Sequence, residues 1–147
     1  MIDPTIRSAA PDDAEQLDLL EAEARAALAS QRGGPRWLAT HPSRGGRWAG
    51  VIGLDHVFVA HIGDVVVGYV VATVEAGVAT IADVYVTPEA RELGFGDQLL
   101  AAAIASAREV GAAHLEGEAL PGDRDTKNLY ERAGIKARLI TVSTPLT

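Results

Sequence analysis

The chain has 147 residues and a hydrophobic content of 48%, enough for one globular domain with a real core and too little for two. Its net charge of −7 disfavours general nucleic-acid binding, and the absence of cysteine excludes disulfides, thiolate metal sites and a cysteine nucleophile. No apolar stretch approaches a membrane span, because the longest, Val65–Val74, is interrupted by Gly68 and Thr73. Met1–Pro4 lacks the basic and apolar regions of a signal peptide. These features predict one domain over residues 1–147 of a cytoplasmic protein with no membrane partner.

In chain order, Thr5–Ser8 is a short strand. Pro11-Asp12-Asp13 then starts a helix, with proline in the first turn and acids at the positive end of the helix dipole. Leu17, Leu20, Ala24, Ala27 and Leu28 fall on one face of it. Ser30–Asp55 shows little periodicity and reads as a long connection with one short helix near Trp37–Thr40. Within it, Arg32-Gly-Gly-Pro-Arg-Trp37 and Arg44-Gly-Gly-Arg-Trp48 read as two turns, each followed by a tryptophan that anchors the loop on the core. Ser30–Leu54 carries four arginines and no acid, a basic loop on an acidic protein.

Val57–Ile62 and Val65–Glu75 are strands joined through Gly63-Asp64, and Val78–Val86 is a third. A helix follows over Phe95–Val110, then a strand at His114–Ala119. A short helix at Asp125–Ala133 ends at Gly134, and a final strand runs over Ile135–Val142. The three middle strands form an antiparallel meander, and the β-α-β crossover after them makes the sheet mixed.

Thr87–Gly96, Thr-Pro-Glu-Ala-Arg-Glu-Leu-Gly-Phe-Gly, lies where a strand ends and a helix opens. Such a junction gathers unpaired N–H groups at a helix N-terminus, a site for a phosphate. Val84-x-Val86-x-Pro88-Glu89-Ala90-Arg91-x-x-Gly94-x-Gly96-x-x-Leu99-Leu100 resembles the acetyl-CoA signature of the GCN5-related N-acetyltransferase (GNAT) family. Asn128-Leu-Tyr130-Glu-Arg-Ala-Gly134-Ile135 resembles that family's second signature, and the order of elements agrees from Thr5 to Val142.

The resemblance implies an α/β fold. A central, mixed, mostly antiparallel sheet of six to seven strands is flanked by about four helices, with acyl-CoA in a splay between two parallel strands. It further implies that Val84, Tyr85 and Val86 pair with the pantetheine arm. Leu93, Gly94, Phe95, Gly96 and Asp97 surround the pyrophosphate with N–H groups, and Arg91 adds a charged fork. Glu92, where the family commonly has glycine, and Asp97 bring negative charge to that site. Asp123 stands where the family often has asparagine, and Asn128 is the candidate to replace its amide contact.

Transfer to an amine calls for a base, a polarised carbonyl and a proton for the departing thiolate. By the resemblance Tyr130 is that acid. Glu116 and Glu118 alternate along one strand and share a face, with Glu118 twelve residues before Tyr130; Asp83 and His114 are further base candidates. His41, His56 and His61 have no metal-ligand spacing.

The expected activity is acetyl transfer from acetyl-CoA to a primary amine by direct attack in a ternary complex. The alternative is a non-catalytic acyl-CoA-binding or regulatory module on the same fold. A nucleic-acid module using the Arg-Gly loop is disfavoured by the acidic background, and the acceptor amine, the acyl group and a homodimer remain open.

Overall fold

The computed structural model describes residues 5–147. Met1–Pro4, and the reading of that segment, lie outside the described residues. Five strands, β1 (Thr5–Ser8), β2 (His56–Ile62), β3 (Val65–Glu75), β4 (Val78–Val86) and β5 (His114–Gly117), form one sheet in sequence order. The first three pairings are antiparallel, and β4 pairs with β5 in parallel. The parallel step is reached through α4 (Phe95–Glu109), the crossover that a parallel neighbour requires.

Helices cover both faces. On one, α1 (Ala14–Leu28) and α3 (Trp48–Leu54) bury Leu17, Trp48, Val59, Tyr69 and Val71. On the other, α4 and α5 (Arg124–Arg132) bury Val70, Phe95, Leu99, Leu100, Ala103 and Tyr130. Each large apolar side chain so enclosed contributes about 1.5–3 kcal/mol. Among the described residues no helix is long and apolar enough to cross a membrane.

Three expectations are corrected. The connection 30–55 holds two helices, α2 (Gly34–Thr40) and α3, where one short helix is expected, and the described residues contain five α-helices. A seven-residue helix shows its apolar spacing only once, here as Trp48, Val51 and Ile52 facing the core, which is too little periodicity to read.

Of the two tryptophans only Trp48 anchors the core, at 1% exposure. Trp37 instead stacks flat on His41, with ring centroids 4.1 Å apart.

The strand expected at Ile135–Val142 does not form, and the sheet has five strands rather than six or seven. Ile135 packs on the core, but Leu139, Ile140 and Val142 are 87%, 82% and 89% exposed. Alternation marks a strand only where an edge and an apolar face are there to receive it. β5 offers just four residues, none of them fully buried.

Candidate active site

β4 and β5 pair only from Val78 with His114 to Ile81 with Gly117. Beyond that point β5 has ended, and Ala82–Val86 keeps an edge with no strand beside it among the described residues, which leaves a fork at the head of β5. Which groups face this fork follows from two bonds. Thr87 N–H donates back to Val67 O of β3 at 2.9 Å, while Val86 O accepts Arg91 Nε from the open side at 2.9 Å. Backbone groups alternate along a strand, so Val84 N–H, like Val86 O, faces the fork.

A bulge sets the side chains. Val71 pairs with Asp83 and Ala72 with Ile81, which leaves Ala82 unpaired. The extra residue reverses the alternation, so Asp83 joins Tyr69 and Tyr85 on the α1 face and Val84 packs on the α4 face.

The turn after β4 opens α4. Gly94 caps it at φ +87°, and Glu92 is held at φ +69°, a left-handed conformation that costs a residue with a Cβ about 1–2 kcal/mol. Gln98 N–H already bonds to Gly94 O at 3.1 Å, whereas the N–H groups of Leu93 to Asp97 take no acceptor among the described residues. Phe95 is 1% exposed and pins the start of the helix to the core. Gly96 faces Leu129 of α5, where a Cβ would lie 3.4 Å away, at ordinary contact distance.

The two expected charge problems resolve differently. Asp97 pairs with Arg132 of α5 at 2.9 Å, so its charge is offset. Glu92 points to solvent and has no ion-pair partner among the described residues. Arg91 does not reach out as a free fork. Its guanidinium caps Val86 O, pairs with Asp125 at 3.0 Å and lies over the Tyr85 ring. The Tyr85 side chain turns to α1, where it donates to Glu23 at 2.6 Å.

At the head of the fork sits Tyr130. Its hydroxyl donates to Glu118 O at 3.4 Å and packs on Gly117, where a Cβ would lie only 2.5 Å from the oxygen. Burial first, and then the nearby Asp83 charge, push the phenol well above its ordinary pKa. The ring is carried by α5, which begins at Arg124 under an Asp123 cap that accepts Thr126 N–H at 3.2 Å. Asp123 therefore has a structural use, and Asn128 stands exposed on the same helix.

β5 stops at Gly117, so Glu118 lies just past the strand on the rim, its side chain 77% exposed and 3.9 Å from His41, the residue after α2. Glu116 is exposed too, opposite Thr80 in the paired part of β5. Of the four arginines in the basic loop, Arg32, Arg36 and Arg47 are exposed and only Arg44 is drawn into an ion pair among the described residues. Arg44 turns inward onto Glu21 and Asp83, and Arg47 donates to Ser43 O. Sequence spacing gave no signal for Arg44, Arg132 or the need for glycine at 117.

Residues 36–135 match the model of the acetyltransferase (GNAT) family. The chain belongs to the GNAT family. Solved structures agree with the GNAT assignment over nearly the whole chain. A transcriptional regulator from Bacillus halodurans is 25% identical with a TM-score of 0.71, covering 97% of this chain and 99% of its own. The PaiA N-acetyltransferase from Thermoplasma acidophilum, solved with coenzyme A, is 17% identical with a TM-score of 0.74, covering 90% and 89%. The aminoglycoside acetyltransferase AAC(6')-Iy, solved with a CoA-acetylneamine bisubstrate analogue, is 18% identical with a TM-score of 0.72, covering 98% and 99%. No curated protein matches the sequence.

Proposed function

We propose that this GNAT protein moves an acetyl group from acetyl-CoA to a primary amine by direct attack in a ternary complex. One observation carries the reading: the buried Tyr130 hydroxyl stands at the head of a fork whose other end is a turn of free N–H groups. The N–H groups of Leu93–Asp97 would hold the pyrophosphate, and the open edge of Val84–Val86 would pair with the pantetheine amides. Val84 N–H would polarise the thioester carbonyl, a contribution of about 10²–10³ in rate for one such donor.

Tyr130 is suited to be the acid. With its pKa raised, it keeps its proton at neutral pH; giving that proton to a thiolate, whose conjugate thiol has a pKa near 8.5, is uphill, so the transfer must be coupled to recovery of a proton from the acylated nitrogen. Positioned general acids contribute about 10²–10⁴. Glu118, exposed on the rim beside His41, would pass the acceptor's ammonium proton through water to solvent. Glu116, in the paired part of β5, has no step in this route.

The assay is release of free thiol from acetyl-CoA across a panel of amines, with Tyr130→Phe as the control. Wild-type turnover and a slowed Y130F support the reading, and undiminished turnover in Y130F removes the acid assignment. A second reading, an acyl-CoA-binding regulatory module, draws on the Bacillus halodurans neighbour described as a transcriptional regulator and on the unpaired Glu92. It predicts that acetyl-CoA raises the melting temperature while no amine releases thiol.

A further inference from the structure

The connection between α2 and α3 sends one side chain into the molecule. Arg44 Nη1 donates to Glu21 Oε2 at 2.8 Å and to Asp83 Oδ2 at 3.1 Å, bridging α1 and β4. Glu21 is 1% exposed and is fully occupied, because Ser43 Oγ at 3.1 Å and Arg44 N–H at 2.9 Å supply its other oxygen. Two carboxylates around one guanidinium leave one net negative charge. Such a trio is costly to enclose unless the remaining charge meets a partner.

Asp83 is the less satisfied of the two carboxyl groups. Both of its bonds, from Arg44 and from Tyr69 Oη at 2.8 Å, go to Oδ2. Oδ1 has no partner among the described residues, yet the only buried side-chain N or O atom there lacking one is Trp48 Nε1. Oδ1 is therefore not fully enclosed, and the Asp83 side chain keeps 17% exposure. The bulge at Ala82 brings it to the α1 face of the fork, across the sheet from α5, and its charge reaches Tyr130.

We propose that Arg44 is a positioning residue for acetyl transfer: its bridge to Glu21 fixes the Asp83 carboxyl on the α1 face of the fork, with Oδ1 left without a partner among the described residues. There Asp83 would accept an N–H bond from the acceptor amine and aim its lone pair at the thioester carbon. This rests on the acetyl-transfer reading above. The acceptor enters as an ammonium and loses one proton to solvent by way of Glu118. The C–N bond forms as the C–S bond breaks, Tyr130 protonates the leaving sulfur, and the second nitrogen proton restores Tyr130. Asp83 gives and takes no proton, and sets which amines bind: those that arrive as cations.

Four groups bear on Asp83: Glu21 of α1, Arg44 of the connection, Tyr69 of β3 and Tyr130 of α5. Burial raises its pKa and Arg44 opposes that rise.

The test compares Arg44→Met, Arg44→Lys and Asp83→Asn with wild type, using spermidine and lysine amide as acceptors. Calorimetric affinity for CoA should not change. The amine KM should rise about tenfold or more in R44M and D83N, the loss of one charge-assisted bond, and R44K should recover most of it. A carbon-13 titration of the Asp83 carboxyl should move its midpoint up in R44M and back in R44K.

Equal amine KM in folded R44K, D83N and wild type overturns the proposal, as does an unmoved Asp83 midpoint. Should R44M fail to fold, Arg44→Gln, which also removes the charge, takes its place in both measurements. If wild type acetylates neither amine, the carboxyl titration still reports whether Arg44 governs Asp83. A broader amine panel without thiol release strikes the functional reading instead.

Discussion

Gly117→Ala is the sharpest probe of the fork. An alanine Cβ would lie 2.5 Å from Tyr130 Oη, 2.7 Å from Cζ and 3.0 Å from Cε1. Comfortable carbon contacts begin near 3.5 Å, so the ring or β5 must give by about 1 Å. Tyr130 is 7% exposed and walled by the α4-side core, leaving the ring little free room. Overpacking of this kind costs about 1–3 kcal/mol. For a chain of this size that lowers the melting temperature by roughly 2–12 °C. A displacement of about 1 Å at the reacting centre costs about 10² in rate, or about 2.7 kcal/mol of barrier.

The expected result is a folded G117A protein with kcat down about 100-fold and an unchanged CoA dissociation constant, because the Leu93–Asp97 turn is untouched. In a Tyr130→Phe background the same substitution should cost little more, since the hydroxyl it misplaces is already gone. Wild-type kcat in folded G117A would refute the placement of Tyr130 in the chemistry. A further 100-fold loss in the double variant would show that Gly117 acts through something else.

Three more outcomes can be measured. Glu92→Gly should raise stability by about 1 kcal/mol, read in urea melts, by relieving the left-handed backbone, and should tighten CoA binding by removing an unpaired charge beside the turn. Arg132→Ala should weaken CoA binding in calorimetry, because Asp97 then faces the free N–H groups unneutralised; Asp97→Asn in the same background should restore it. Acid titration of stability separates two carboxylates. The hydrogen-bonded Arg7 guanidinium holds Asp13 below the usual carboxylate range, so its contribution is complete above about pH 4 and lost as pH falls through the lowered value. Burial raises Asp83, so the folded state binds that proton more tightly and gains stability as pH falls from its raised value towards the usual one. Wild type should therefore gain on D83N over that window in urea melts, and lose its margin over Asp13→Asn only below about pH 4.

What the sequence disclosed is what is written locally. Pro88, Gly94 and the Leu99-Leu100 pair mark the strand, turn and helix within a few residues of one another, and the turn lies where they place it. Gly63-Asp64 gives the hairpin for the same reason. Contacts between distant positions left no such trace. Arg44 meets Asp83 from 39 positions away, and Arg132 meets Asp97 from 35. Each looks like an ordinary surface charge until the sheet and α5 are in place. Ile135–Val142 shows the converse, a local pattern with no edge to complete it. Tyr130 is intermediate: the helix that carries it is legible, but only the fold shows that Gly117 clears space for its hydroxyl.

The Ala82 bulge ties these threads together. Under strict alternation from Ile81, Asp83 would face α4 and Val84 would face α1. The unpaired residue reverses both, so the carboxylate lies on the side of Arg44 and Glu21 while Val84 packs with the α4 core. The same strand then separates two tasks across its thickness. Its open edge faces the fork with backbone groups suited to a thioester carbonyl and pantetheine amides, and its α1 face offers one carboxylate oxygen suited to an amine. A site that joins two substrates needs them to arrive from different directions, and a single inserted residue in β4 would supply that geometry without any change in the turn proposed to take the phosphates.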